Sequence, residues 1–163
     1  MNRIRLILTI CFSLICAASL FSQEKFPDVE VLNELGEPVN LQAYIAEGGP
    51  KLISLWATWC GPCRTELNAL KKVEAEWKEK FGLEIITVSM DVPSMVSKAK
   101  QMAKSNGWNY TFMYDGNQDV ASKLKVRSIP YSWLIDKDGN IISKMNGYSP
   151  SYPQLVEQKL DKG

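Results

Sequence analysis

Two cysteines, Cys60 and Cys63, stand two residues apart in the stretch Trp59-Cys60-Gly61-Pro62-Cys63. That spacing lets the thiols close into a small disulfide ring and reopen by exchange with the thiols of another protein. The stretch lies where an apolar run, Lys51 to Ala57, gives way to an amphipathic pattern beginning near Pro62. A thiol at a helix amino-terminus is helped toward its thiolate by the helix dipole. The expected chemistry is thiol-disulfide exchange, with Cys60 attacking and Cys63, one turn further in, resolving. The competing readings are an inert bridge or half of a metal site. A bridge over so short a loop restrains the unfolded chain very little. A tetrahedral zinc site needs two further ligands, and beyond the first 22 residues the chain has no other cysteine and no histidine. The lack of histidine also excludes serine or cysteine triads of the usual kind, imidazole zinc sites and histidine proton relays. No metal or cofactor is expected.

The cysteine usage has to be set against the first stretch of the chain. Arg3 and Arg5 precede an apolar run from Leu6 to Phe21, and Ala17, Ala18, Ser19 and Ser22 offer small residues for cleavage. This is a secretory signal pattern, too short to span a bilayer comfortably, since about 20 apolar residues are needed for that. Residues 1–22 are expected to be a signal peptide removed after about Ser22. A retained membrane anchor is the second choice, and lipidation of Cys16 the weakest, because Ile15 stands where lipoproteins place a small residue. The remainder, residues 23–163, suits one domain with a real core. Taking Arg3 and Arg5 from the 19 basic residues leaves 17 against 18 acidic ones, with no basic block. Nucleic acid is therefore not an expected partner.

The elements that must position the cysteines can be read from periodicity. Short apolar stretches between Phe26 and Leu41, broken at Gly36 and Pro38, predict a hairpin, and Gln42 to Ala46 a helical turn. Leu52, Ile53, Leu55 and Trp56 make a largely apolar run, as a buried strand requires. From Pro62, Leu67, Leu70, Val73, Trp77 and Phe81 recur every three or four residues until Gly82, which predicts a helix of about five turns. Leu83 to Met90 reads as a second buried strand, so strand, helix and strand imply a parallel pair with a right-handed crossover. Next come a helix over Ser94 to Ser105, an aromatic strand over Trp108 to Tyr114 and a short helix over Gln118 to Leu124. The chain closes with strands Tyr131 to Ile135 and Asn140 to Met145, joined through Asp138-Gly139, and a helix over Tyr152 to Leu160.

Leu55 to Arg64, reading Leu-Trp-Ala-Thr-Trp-Cys-Gly-Pro-Cys-Arg, resembles the redox signature of the thioredoxin superfamily. Ser128 to Tyr131, Ser-Ile-Pro-Tyr before the terminal hairpin, is similar to the loop where that superfamily holds a cis-proline. The exported signal, the amino-terminal hairpin, the helix after Val88 to Asp91, and Leu134 to Gly139 resemble the TlpA/ResA-like branch of membrane-associated or periplasmic thiol-disulfide proteins. The resemblance implies an α/β thioredoxin-like fold. A central mixed β-sheet is flanked by helices, with an N-terminal β-hairpin extension and an extra helix insertion. One position departs from ordinary thioredoxins, whose buried aspartate is replaced by Ser54.

The resemblance also implies roles for single residues. Glu66 matches a glutamate of the ResA-like branch and, three positions after Cys63, shares its helix face; it is expected to accept the proton of Cys63. The competing reading is a solvated first-turn glutamate favoured by the helix dipole. Pro130 is expected to follow a cis bond, and the backbone of Ile129 to pair with an extended substrate segment. Trp59, Gly61, Pro62 and Ile129 are the residues expected to meet a substrate, Trp56 is expected in the core, and Arg64 and Arg127 in solvent. The Gly-Pro pair between the cysteines resembles thioredoxin and implies a reductase of protein disulfides, reloaded by a membrane thiol-disulfide electron donor. Two alternatives stay open. A thiol peroxidase of the alkyl hydroperoxide reductase group carries a threonine three residues before its peroxidatic cysteine, where this chain has Ala57. A Sco-like metal or haem-pathway binding module spaces its cysteines more widely and adds a distal histidine.

Overall fold

The computed structural model describes residues 24–161; the expected signal segment, residues 1–22, lies outside the described residues. In chain order the first elements are β1 (Glu30–Leu32), β2 (Pro38–Asn40), α1 (Leu41–Ile45), β3 (Lys51–Trp56), α2 (Gly61–Leu70), α3 (Glu74–Phe81) and β4 (Glu84–Ser89). Then come a 3-10 turn (Pro93–Met95), α4 (Val96–Asn106), β5 (Thr111–Tyr114), α5 (Asp119–Lys123), β6 (Tyr131–Ile135), β7 (Ile141–Asn146) and α6 (Tyr152–Leu160). No helix of the described residues is long and apolar enough to cross a membrane.

The seven strands form one mixed sheet in the order β2-β1-β5-β4-β3-β6-β7. β3, β4 and β5 run parallel, and β6 joins β3 antiparallel. β3 is buried along its whole length, as a strand covered on both faces must be. Because successive side chains point to opposite faces, its residues divide between two cores. Leu52 and Trp56 pack with Cys63, Leu67, Leu70, Trp77 and Tyr152 under the long helices, while Ile53 and Leu55 pack with Phe26, Leu41, Val120 and Trp133 on the other face. Each fully buried leucine on such a face contributes roughly 1.5–3 kcal/mol. The amino-terminal hairpin is the β1–β2 pair, which docks on β5 through the Leu32–Tyr114 register.

Three sequence expectations need correction. The predicted five-turn helix is two helices. At Lys72 and Val73 the backbone bonds run to Ala69 and Leu70, three residues back, before Trp77 resumes bonding to Val73. A tightened turn keeps the apolar residues at three- or four-residue spacing, so the periodicity does not register the break. The helix expected from Ser94 begins as the 3-10 turn and becomes α-helical only at Val96. The aromatic strand pairs only over Thr111–Tyr114, with Trp108 and Tyr110 preceding it, although all four aromatic side chains are buried as expected.

α3 ends at Gly82, which adopts the left-handed conformation with φ 66°, a region open to glycine at little cost. Its carbonyl lies against Gly49 so closely that a Cβ there would stand 2.8 Å from the oxygen. This contact sets the starts of β3 and β4 side by side. Gly49→Ala should therefore destabilise the fold by roughly 1–3 kcal/mol, as overpacking against backbone does, read as a lower urea midpoint at unchanged slope.

Candidate functional site

The cysteines are placed by the junction of β3 and α2. Cys60 is the N-cap of α2, its sulfur accepting from the backbone N–H of Cys63 at 3.2 Å, and Pro62 occupies the first turn, where its missing N–H costs nothing. Cys60 and Cys63 are joined as a disulfide. Cys60 retains 5% exposure and Cys63 none, so an incoming partner meets Cys60 first. The first turn of α2 carries no acidic side chain, which leaves the positive end of the helix dipole facing the sulfur. A methyl group added at Gly61 meets nothing within 4 Å, and Trp59 is 70% exposed, so the ground beside the disulfide is open and partly aromatic. From the other side, the Ile129–Pro130 bond is cis, and the Ile129 carbonyl oxygen lies 3.8 Å from Cys60 Sγ. Trp59, Cys60, Gly61, Pro62, Ile129 and Pro130 thus come together at one end of the sheet, while Trp56 is in the core and Arg64 and Arg127 are exposed.

Glu66 is fully buried, not solvated, which corrects the competing reading of that residue. It sits in the second turn of α2, on the helix side that covers the sheet. Ser54 on β3 donates to its Oε1 at 2.7 Å and Ser132 on β6 donates to the same oxygen at 2.9 Å. The two serines are direct register partners across the β3–β6 pair, so both hydroxyls rise from one row of the sheet to one carboxyl. Burial pushes the Glu66 carboxyl up to about 7, against the opposing pull of the Ser54 and Ser132 hydrogen bonds. Two hydroxyl donors are too few to replace the hydration a carboxylate loses.

The backbone around this pair is tied from several directions. Asp91, just after β4, accepts from the Thr58 N–H and hydroxyl, both at 2.8 Å, and from Ser89 at 2.8 Å. All three residues are buried, so the turn that presents Trp59 and Cys60 hangs on one carboxylate. Tyr110 donates to the Leu67 carbonyl at 2.6 Å and Trp108 Nε1 to Asn68 at 2.8 Å, fixing the middle of α2. Trp56 meets Trp108 edge-on with ring centroids 5.4 Å apart. Ser132 and Asp91 were not legible as site residues: a lone serine or aspartate in sequence carries no signal of its register partner. Ser54 gave one through the resemblance, standing where ordinary thioredoxins are expected to hold an aspartate.

Comparison with known proteins agrees with this geometry. The model of the AhpC/TSA family matches residues 22–144. The thiol-disulfide oxidoreductase ResA of Oceanobacillus iheyensis is 31% identical over 124 residues, which cover 74% of this chain and 62% of the length of that relative. A thioredoxin-like protein from Porphyromonas gingivalis superposes with a TM-score of 0.74 at 32% identity, over 83% of this chain and 90% of its own. A candidate thiol:disulfide interchange protein DsbE from Chlorobium tepidum gives 0.73 at 25% identity, over 88% and 98%.

The buried carboxyl has a measurable consequence for stability. Its folded-state affinity for a proton, about 7, lies above the unfolded value of 4.5. Between these values the folded chain holds the proton and the unfolded chain does not, so stability falls as pH rises through that window. The disulfide form should lose about 3 kcal/mol from this group between pH 4.5 and pH 7 to 8. Glu66→Gln should remove that component, seen as a flatter difference in unfolding free energy across the same range.

Proposed function

The chain belongs to the AhpC/TSA family, and on that premise we propose that it is an exported thiol-disulfide oxidoreductase that reduces disulfide bonds of partner proteins through Cys60 and Cys63. The observation that carries this reading is the asymmetry of the pair: Cys60 caps a helix and retains 5% exposure, while Cys63 is wholly buried on the face that also buries Glu66. The likeness to the Oceanobacillus iheyensis oxidoreductase supports the chemistry. Arg3, Arg5 and the apolar run after them support export to the periplasm, with residues 1–22 as the signal and 23–163 as the working domain.

In the reduced chain the Cys60 thiolate attacks one sulfur of a substrate disulfide. The substrate bond breaks, a mixed disulfide forms, and the departing substrate thiolate takes up a proton. Cys63 then loses its proton to Glu66 and attacks the Cys60 sulfur. This step closes the Cys60–Cys63 bond and releases the second substrate thiol, so that two electrons have passed from the dithiol to the substrate. The extended backbone of the substrate pairs with Ile129 as a short added strand, with Trp59, Gly61 and Pro62 forming the floor beside its cysteine. A membrane thiol-disulfide donor restores the dithiol. A carboxyl poised near pH 7 is suited to the proton transfer, because it can take a proton and give it back at little cost.

A second reading, peroxide reduction, is favoured by the family match itself. Against it, Ala57 stands where a peroxidatic site would be expected to hold a hydroxyl, and it is wholly buried.

The reduction potential of the Cys60–Cys63 couple is expected near or below about −270 mV; a value near about −120 mV would make the chain an oxidant instead, and no measurable exchange would leave a binding module. In single-turnover reactions at pH 7, Glu66→Gln should leave formation of the mixed disulfide unchanged and slow its resolution by about 10²-fold. Consumption of hydrogen peroxide by the reduced chain at an enzymatic rate would replace this reading with the second one.

A further inference from the structure

Ser54 and Ser132 account for one oxygen of Glu66, and the polar atoms around the pair are not all accounted for. Glu66 Oε2, Thr87 Oγ1 and Tyr152 Oη are buried without a hydrogen-bond partner among the described residues. Thr87 on β4 is the register partner of Ser54, which is in turn that of Ser132, so three hydroxyl residues cross the centre of the sheet in one row under α2. Tyr152, the first residue of α6, is 1% exposed. A phenol buried with no use for its hydroxyl is unfavourable by about 1–3 kcal/mol, and phenylalanine would fill the same space without that penalty.

The surroundings of the hydroxyl indicate its use. The hydroxyl has no hydrogen-bond partner among the described residues, and the groups that act on its proton are Glu66 and Ser132; burial first and the Glu66 charge second hold that proton well above the usual tyrosine range, with Ser132 opposing them. Tyr152 is therefore a neutral O–H at every relevant pH. Ser132 spends its single proton on Glu66 Oε1, which leaves its lone pairs to accept one. Hydroxyls in line polarise one another, and the chain strengthens when its far end becomes negative.

We propose that Tyr152 is a positioning residue for Glu66: as Glu66 ionises, the Tyr152 hydroxyl donates to Ser132 Oγ, and the two hydroxyls in line hold the carboxylate. This rests on the reading of Glu66 as the group that exchanges a proton with Cys63. The groups that face Glu66 are few. Cys63 on its own helix is uncharged as a disulfide, β3 offers Ser54, β6 offers Ser132, α6 offers Tyr152, and the segment before β5 offers Tyr110, whose hydroxyl is committed to the Leu67 carbonyl. No charged side chain contributes to the elevation of Glu66. Burial raises this carboxyl and hydroxyls alone oppose the rise; among the hydroxyls not already committed, Tyr152 is the one that neither neighbouring strand supplies.

The test is a carbon-13 titration of the Glu66 carboxyl in the full chain in its disulfide form, which reads proton affinity without reference to turnover. The wild-type midpoint is expected near 7. Tyr152→Phe, which keeps the ring and its packing, should raise it by about one pH unit, a tenfold change in proton affinity. Ser132→Ala should raise it as well, and in that background Tyr152→Phe should add nothing. An unchanged or lowered midpoint in Tyr152→Phe overturns the proposal, and a full shift that persists without Ser132 overturns the relay. The kinetics of Glu66→Gln read the underlying mechanism separately. Unaltered resolution there would overturn the mechanism, and with it the purpose assigned to Tyr152, while the titration would still report the coupling.

Discussion

A carboxyl group buried at the level of the sheet is the constraint on which this face of the protein depends. Raising Glu66 from 4.5 to about 7 corresponds to about 3 kcal/mol against its charged form, after the hydrogen bonds from Ser54 and Ser132 have been counted. Those bonds exist only because β3 and β6 are held in the register that sets the two serines side by side. A slip of β6 by one residue would turn Ser132 to the other face and leave the carboxyl with Ser54 as its one hydroxyl donor. The antiparallel addition of β6 to a parallel core is thus a requirement of the site as well as of the sheet.

The same economy applies to the helix that carries the cysteines. α2 has to hold Cys60 at its N-cap, Cys63 in the first turn and Glu66 in the second, each facing a different surrounding: an open edge, an apolar wall and a pair of hydroxyls. Its position is fixed by groups outside the disulfide, with Tyr110 and Trp108 bonded to its middle and Asp91 bonded to the turn before it. None of these ties runs through the disulfide, so breaking the S–S bond removes none of them directly. A scaffold that fixes the helix independently of the S–S bond favours keeping the two sulfurs close through repeated exchange.

Much of this architecture could be read from the chain. The largely apolar run of β3, the Trp-Cys-Gly-Pro-Cys stretch, the parallel β3–β4 pair and the terminal hairpin are each local patterns with a single structural meaning. The break between α2 and α3 was not legible, because a tightened turn leaves the apolar spacing intact. Nor could the sequence decide whether Glu66 is solvated: three residues after Cys63, it belongs to a helix face whose burial depends on how α2 is rolled against the sheet. Ser132 and Tyr152 were silent for a related reason. Each acquires its meaning from a contact with α2 across a large sequence separation, and an isolated serine in a strand or tyrosine at a helix start fits many other roles. The replacement of a buried aspartate by Ser54 is the instructive case. Where the resemblance to ordinary thioredoxins implies a strand aspartate, β3 presents Ser54 as a donor, and the carboxyl it bonds comes from α2.

The helical location bears on what the carboxyl can do. Glu66 and Cys63 belong to one helix, so in the proposed proton transfer the relation between thiol and acceptor is set within a single element and does not depend on strand and helix staying aligned. An ordinary thiol titrates near about 8.5, and an acceptor near 7 is close enough for the proton to pass without a large uphill step, yet far enough below for the thiolate not to be the resting form. A fully solvated glutamate, near about 4.3, would be a far weaker base, and one with no donors at all would hold its proton permanently. The two serine hydroxyls place the group between those limits. The instability that ionised Glu66 introduces at neutral pH is the physical counterpart of that usefulness, since the same desolvation that weakens the fold makes the carboxyl basic enough to act.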